Sequence, residues 1–224
     1  MPVQVVVVYY SATGTTYALA RAIEEGAKQA GAEVRVRKVR ELAPEEAIAS
    51  NQGWAAHRLE TQDVPEATLA DLEWADAIVM GAPTRYGLPA AQLKQFIDTT
   101  GPLWGAGKLV NKVTSGFTSA ATLHGGQEST ILALYNTFHH WSSITVSPGY
   151  ADPIQFAAGN PYGTSFVSQN GAVKPDETAL NGARFQGRRV AEVAGYLKAG
   201  REAGQGAAPN DVGADGQADL TAKA

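Results

Sequence analysis

Ser11, Thr13, Gly14, Thr15 and Thr16 put four hydroxyls and a glycine into one short stretch. Four consecutive valines, Val5 to Val8, precede it, and Tyr17-Ala18-Leu19-Ala20-Arg21-Ala22-Ile23 follows with helical spacing. A polar turn between a buried strand and a helix start collects unpaired backbone N–H groups at the positive end of the helix dipole. The hydroxyls would extend that ring of donors, so a phosphate could be held without lysine or arginine. Neither the Gly-Lys-Ser/Thr of the NTPase loop nor Gly-x-Gly-x-x-Gly is present. The plainer alternative is a capped turn, because Ser and Thr favour N-caps.

Two further loops have similar character. Pro83, Thr84, Arg85, Tyr86 and Gly87 follow an apolar run, and Ser119, Ala120, Ala121 and Thr122 lead to Gly125 and Gly126 after another. Arg85 between Thr84 and Tyr86 could be a solvated loop charge, yet a guanidinium beside an aromatic suits a planar anionic or π ligand. Elsewhere the residues read more plainly. Trp104 reads as core packing, Trp54 as a local anchor and His57 as a lone surface histidine. His139 and His140 adjoin a helix end, where histidine meets carbonyls and the dipole. Four histidines in no ligand pattern assemble no metal site, and no Ser-His-Asp set stands out.

The elements that would position these loops are legible in outline. The valine run, residues 3–10, reads as a strand buried on both faces, as in a parallel sheet. A helix over 15–30 follows, then the alternating Glu33-Val34-Arg35-Val36-Arg37-Lys38-Val39, a charged edge strand. Residues 41–68 show no clear period beyond a short helix near 43–49. A buried strand at 77–83, a helix at 90–100 closed by residues 101–105, a strand at 112–119, a helix at 127–140 and a strand at 143–148 complete the pattern. Residues 149–175, bearing glycines and prolines, read as an ordered excursion, and 176–199 as a closing helix. The tail 200–224 is expected to be disordered, leaving one α/β domain over 1–199. Five parallel strands with the charged second one at an edge fit the order 2-1-3-4-5, a three-layer sandwich whose strand-end loops converge on one crevice.

Composition narrows the classes. With 44% hydrophobic and 18% charged residues the 224-residue chain is globular. A net charge of −4 argues against a nucleic-acid surface. The absence of cysteine excludes disulfides, thiolate catalysis and Cys-ligated metals. The N-terminal apolar run is too short to span a membrane and has no basic leader, so a cytoplasmic protein without membrane insertion is expected.

Several motifs then occur together in one order. They are Tyr9-Tyr10-Ser11 to Gly14, Gly81-Ala82-Pro83-Thr84-Arg85-Tyr86-Gly87, Thr100-Gly101-Pro102-Leu103-Trp104, Gly125-Gly126-Gln127-Glu128 with Thr130, His139-His140, Gly149-Tyr150, Pro161-Tyr162-Gly163 and Ala183-Arg184-Phe185-Gln186-Gly187. Over about residues 3–198 the chain closely resembles the flavodoxin-like NAD(P)H:quinone oxidoreductases named for tryptophan-repressor-binding protein A (WrbA). The resemblance implies bound FMN, NADH or NADPH as donor, a quinone substrate and a homotetramer. It implies that Ser11, Thr13, Gly14, Thr15 and Thr16 hold the FMN phosphate. Pro83, Thr84, Arg85, Tyr86, Gly87, the loop from Ser119 through Ala120, Ala121, Thr122, Gly125 and Gly126, and His139 would line the isoalloxazine. Trp104 and Tyr86, with Thr13, would border the nicotinamide and quinone. No protein side chain is expected as catalytic acid or base. The alternatives are a flavodoxin-type one-electron carrier and a regulatory binding partner, the latter without a docking element in the sequence.

Overall fold

The computed structural model describes residues 1–204. The valine run must find ladder partners on both sides, and it does. Strand β1 (Gln4–Tyr9) lies between β2 (Glu33–Lys38) and β3 (Ala77–Arg85), both parallel to it, with Val6 opposite Arg35 on one side and Ile78 on the other. Beyond β3 come β5 (Val113–Ala120) and the two-residue β6 (Ile144–Thr145), giving the path β2-β1-β3-β5-β6. Strand β4 (Leu88–Pro89) folds back antiparallel on the end of β3. Without that short return the parallel order is the expected 2-1-3-4-5.

Alternate side chains feed two cores, as the two-residue strand period requires. Val5, Val7, Val79 and Phe117 face helices α1 (Thr15–Gln29) and α9 (Glu177–Ala203). Val6, Val8, Ile78 and Met80 face the helices of the other layer, α4 (Leu69–Trp74), α5 (Ala91–Asp98) and α7 (Gln127–His140). Each fully buried valine contributes about 1.5–3 kcal/mol. Helices α1 and α9 cross at glycines. A Cβ on Gly26 would lie 1.8 Å from the Arg184 carbonyl oxygen, and one on Gly187 would lie 2.0 Å from that of Ile23.

Within 41–68 the short helix expected near 43–49 forms as α2 (Glu45–Ala49), and a second, α3 (Gln52–Glu60), winds where no period was visible. A capping box between Thr68 and Asp71 then starts α4. The same Asp71 carboxylate receives Arg35 at 3.2 Å and Arg37 at 3.0 Å. The edge strand's charges are therefore tied to the helix layer. Burial alone would push the Asp71 carboxyl up, but the Thr68 and arginine donors outweigh it and hold it below the ordinary range.

Three expected elements come out differently. Residues 101–105, expected only to close a helix, wind into α6 (Gly101–Gly105), with Pro102 in the first turn, where its missing N–H costs nothing. The strand expected over 143–148 is divided. After Val146 donates its N–H to the Thr114 carbonyl, Pro148 offers no donor and the chain leaves the sheet. It passes through α8 (Ile154–Ala158) and returns as β7 (Ser165–Val167), which pairs the far half of β5, Ser119 opposite Phe166. The returning chain packs closely on β5 and pairs parallel to it, and a Cβ on Gly163 would meet the Gly116 oxygen at 2.0 Å. Helix α9, capped by Asp176 accepting the Ala179 N–H at 2.8 Å, continues through Gly200 to Ala203. The boundary expected at 199 thus falls inside a helix, and residues 205–224 of the expected tail lie outside the described residues. Among the described residues no helix is long and apolar enough to cross a membrane.

Candidate functional site

The chain runs from β1 to β2 on one side and then crosses to β3 on the other, so the loops leaving β1 and β3 diverge and open a crevice. A cleft of about 300 Å3 occupies it. Ser11, Thr13, Thr15 and Thr16 line it from the first loop, Pro83, Thr84 and Arg85 from the second, and Ser119, Ala120 and Ala121 from the third. The three expected loops do converge.

The first loop is organised for an anion. Gly14 is the residue before α1 and takes φ 94°, a left-handed value that glycine adopts without strain. Its N–H is received by Ser11 Oγ at 3.1 Å, while no side chain caps the helix and no acid stands in its first turn. The N-terminal amides of α1 therefore face the cleft without a protein acceptor from a cap. The hydroxyls divide their labour. Thr16 is fully buried, and its Oγ1 shares a 2.9 Å hydrogen bond with Ser119 Oγ, tying the first loop to the third.

The second and third loops are locked together. Thr130 Oγ1 donates to Thr84 Oγ1 at 2.6 Å, and Ser129 Oγ donates to the Gly87 carbonyl at 3.0 Å. Gly126, at φ 92°, lies so close that a Cβ would sit 2.7 Å from the Gly87 Cα. Arg85 and Tyr86 project outward. Arg85 donates to the Thr84 carbonyl at 3.1 Å, and Tyr86 is wholly exposed with φ 53°, a left-handed value rare for a bulky residue. Thr122 is exposed at the tip of the third loop.

Gly14, Tyr86, Gly87, Thr122, Gly125 and Gly126 belong to the three loops without lining the cleft, and two further expected residues stand elsewhere. Trp104, in α6, donates its indole N–H to the His140 carbonyl at 2.8 Å, which places it at the C-terminal end of α7 beside His139. The N-terminal end of that 14-residue helix begins after Gly126, whose carbonyl accepts from the cleft-lining Thr84 at 3.5 Å, so His139 and the Trp104 bonded beside it lie about 20 Å from that end along the helix axis. Both are exposed.

Sequence reasoning also missed contributors. Asn51 and Trp54 from α2–α3 and Ser168 and Asn170 from the excursion line the same cleft. In the tight turn 168–172, Asn170 at φ 61° and Gly171 at φ 88° have the positive φ values of a primed type I turn over 169–172, and that central Asn-Gly pair was the available signal. It lies over the first loop, with a Gly171 Cβ only 2.5 Å from Thr13 Oγ1.

His57, expected on the surface, is buried, its ring 5.4 Å from that of Tyr17. Desolvation holds its pKa below the ordinary imidazole value against an opposing contact with Glu60. It lines a second, larger cavity of about 800 Å3 on the other side of the first loop. The buried Tyr9 Oη at its wall has no hydrogen-bond partner, whereas the polar groups around Glu41 are paired with one another. The Glu41 carboxylate accepts from Tyr10 Oη at 2.9 Å, Trp54 Nε1 at 3.1 Å, Gln92 Nε2 at 2.8 Å and the backbone of Leu42 and Ala43. Burial on its own would raise the Glu41 pKa, but these donors bring it below the usual value.

A doubly wound parallel sheet with an anion-ready first loop at its switch point defines a flavodoxin-like α/β protein. By its sequence the chain belongs to the family described as NADPH-dependent FMN reductase, whose model matches residues 1–155. A Deinococcus radiodurans protein named NAD(P)H dehydrogenase (quinone) is 47% identical over 199 residues, 88% of this chain and 98% of that one. One of the same name from Sinorhizobium fredii is 48% identical over 200 residues, covering 87% and 98%. Among solved structures, a flavodoxin-type, WrbA-like protein from Agrobacterium tumefaciens superposes with a TM-score of 0.61 at 28% identity, covering 87% of this chain and 98% of its own.

Proposed function

We propose that the protein is an FMN-dependent NAD(P)H:quinone oxidoreductase that reduces quinones by two electrons in alternating half-reactions. The observation that carries this reading is the convergence of the three strand-end loops on an α1 start that no side chain caps. The names of the relatives support the quinone as acceptor. The donor set fits FMN. A single uncapped helix start with Ser11, Thr13, Gly14, Thr15 and Thr16 suits one phosphate, and no dinucleotide glycine motif is present for a second. Pro83, Thr84, Arg85, Tyr86, Gly87, Ser119, Ala120, Ala121, Thr122, Gly125 and Gly126 would flank the ring. FMN, when bound, supplies the hydride-accepting chemistry.

The chain's own task is then to hold and to align. The Thr16–Ser119 and Thr130–Thr84 hydrogen bonds fix the spacing of the loops before any ligand arrives. Exposed Tyr86 is available to pack against an incoming planar ring, with Thr13 at the opposite end of the cleft. Trp104 and His139 cannot reach this chain's own cleft. Their exposure supports a homotetramer in which a neighbouring subunit supplies them, completing the nicotinamide and quinone pocket. A cytoplasmic setting suits the supply of NAD(P)H.

Anaerobic mixing of the FMN-loaded protein with NADH or NADPH should bleach the flavin, and benzoquinone should restore its colour. Flavin that neither donor reduces would instead indicate an electron carrier. Light scattering that finds only active monomers at micromolar concentration would remove the tetramer.

A further inference from the structure

We infer that His57 backs the cofactor phosphate from behind Gly14, supplying the positive charge that the loop's own side chains lack. This rests on the FMN reading above.

Residues 10–16 contain no lysine or arginine. Two nearby cations are committed elsewhere. Arg21 pairs with Glu24 at 2.5 Å, and Lys38 Nζ donates to the Thr61 carbonyl at 2.6 Å. Arg85 stands across the cleft on the second loop. Among the described residues, it is His57 that lies nearest a Cβ placed on Gly14. A Cβ placed on Gly14 would lie 3.4 Å from its Nδ1, and the ring is only 5% exposed.

A histidine is a poor choice for that position if packing is its whole purpose. Burial disfavours its charged form, and the hydrogen bond its ring makes is a long 3.5 Å contact from Nδ1 to the exposed Glu60 carboxylate. A leucine or phenylalanine would fill the space against Tyr17 at no polar cost. The groups facing the ring are few. Glu60 on its own helix favours the charged form, Lys38 from β2 disfavours it, and Tyr17 from α1, itself stacked near Tyr9 of β1, supplies a neutral aromatic wall.

A phosphate on the α1 amides would add a dianion on the far side of Gly14. Opposite charge at such range favours the imidazolium, so binding should raise the His57 pKa from its depressed starting point. By linkage, FMN affinity should then rise as pH falls through the interval between the unbound and bound values. Above that interval the histidine is neutral in both states, and below it charged in both, so its contribution is constant there. Riboflavin, which carries no phosphate, should show none of this.

NMR of the His57 ring proton should follow its titration in wild-type protein, free, with inorganic phosphate and with FMN. Fluorescence titrations should measure FMN and riboflavin affinity between pH 6.5 and 8.5, where the free FMN phosphate, with its second pKa near 6, stays largely dianionic. The ring should titrate at higher pH with FMN bound, and the FMN-to-riboflavin affinity ratio should rise about threefold to tenfold on going from pH 8.5 to 6.5. His57→Gln and His57→Phe, the second keeping the contact with Tyr17, should flatten that slope. Coincident titrations with and without FMN, or variants that retain the slope, overturn the inference while leaving FMN binding intact. Wild-type protein that takes up no FMN at any pH overturns the functional reading and the inference with it.

Discussion

The two ends of the cleft are built to opposite standards. At the first loop the donors are buried or half-buried and anchored within the chain: Ser11 receives Gly14, Thr16 holds Ser119, and Thr13 abuts the 168–171 turn. At the second and third loops the backbone is locked, but Arg85, Tyr86 and Thr122 project into solvent and Tyr86 keeps a left-handed backbone. One end is complete in a single chain. The other offers side chains with little yet to touch. Such a division suits a site that retains one ligand and exchanges another, because holding rewards preorganisation and exchange rewards access.

The comparison breaks most sharply at the first loop. Ser11→Asp can still receive the Gly14 N–H but sets a carboxylate beside the proposed phosphate. Like charges about 4 Å apart at a partly screened site cost several kcal/mol, so FMN affinity should fall by about two to three orders of magnitude in a fluorescence titration. Unchanged affinity would move the phosphate elsewhere. Glu41→Gln tests the support behind that loop. Losing a carboxylate that holds Tyr10, Trp54 and Gln92 should cost about 2 kcal/mol, a fall in Tm of about 4–8 °C. Because the folded-state pKa of Glu41 lies below the unfolded value, its stabilisation is complete above the unfolded value near 4.3 and fades as pH falls through the folded one. The wild-type advantage in Tm should therefore shrink from pH 6 toward pH 3, and a constant gap would deny the carboxylate its role.

At the other end the expected effects are smaller. Arg85→Ala should lower benzoquinone turnover about tenfold, or about 1.4 kcal/mol, while FMN affinity changes less than threefold. Loss of FMN before loss of turnover would erase the distinction between the ends. Tyr86→Gly should relieve the left-handed backbone and raise stability by up to about 1 kcal/mol, with turnover reduced. A destabilised Tyr86→Gly protein would mean that the tyrosine ring is already packed in solution.

How much of this was legible depended on how local the cause was. Val5 to Val8 could be read because burial on both faces follows from an unbroken apolar run, and the sheet order followed from the charges of β2. Gly14 and the hydroxyls were legible because a strand-to-helix turn carries its chemistry in contiguous residues. His57 was not, since its burial is decided by α1 and β2 rather than by its neighbours in α3. Nor could Trp104 and His139 be separated from the cleft without the direction of α7. The divided edge strand escaped notice because its halves, Ile144–Thr145 and Ser165–Val167, are each too short for a period to show. Asn170-Gly171 did carry a turn signature, but only three-dimensional closure brings it over Thr13.

The glycine crossing of α1 and α9 has a consequence for synthesis. Gly26 emerges from the ribosome long before Gly187, which must arrive to seat against Ile23. Until then the layer beneath, Val5, Val7, Val79 and Phe117, has α1 as a cover but not its partner. A nascent chain halted before residue 177 would display that apolar strip, the kind of surface chaperones hold and aggregates share. Docking of α9 thus completes the cover of that layer.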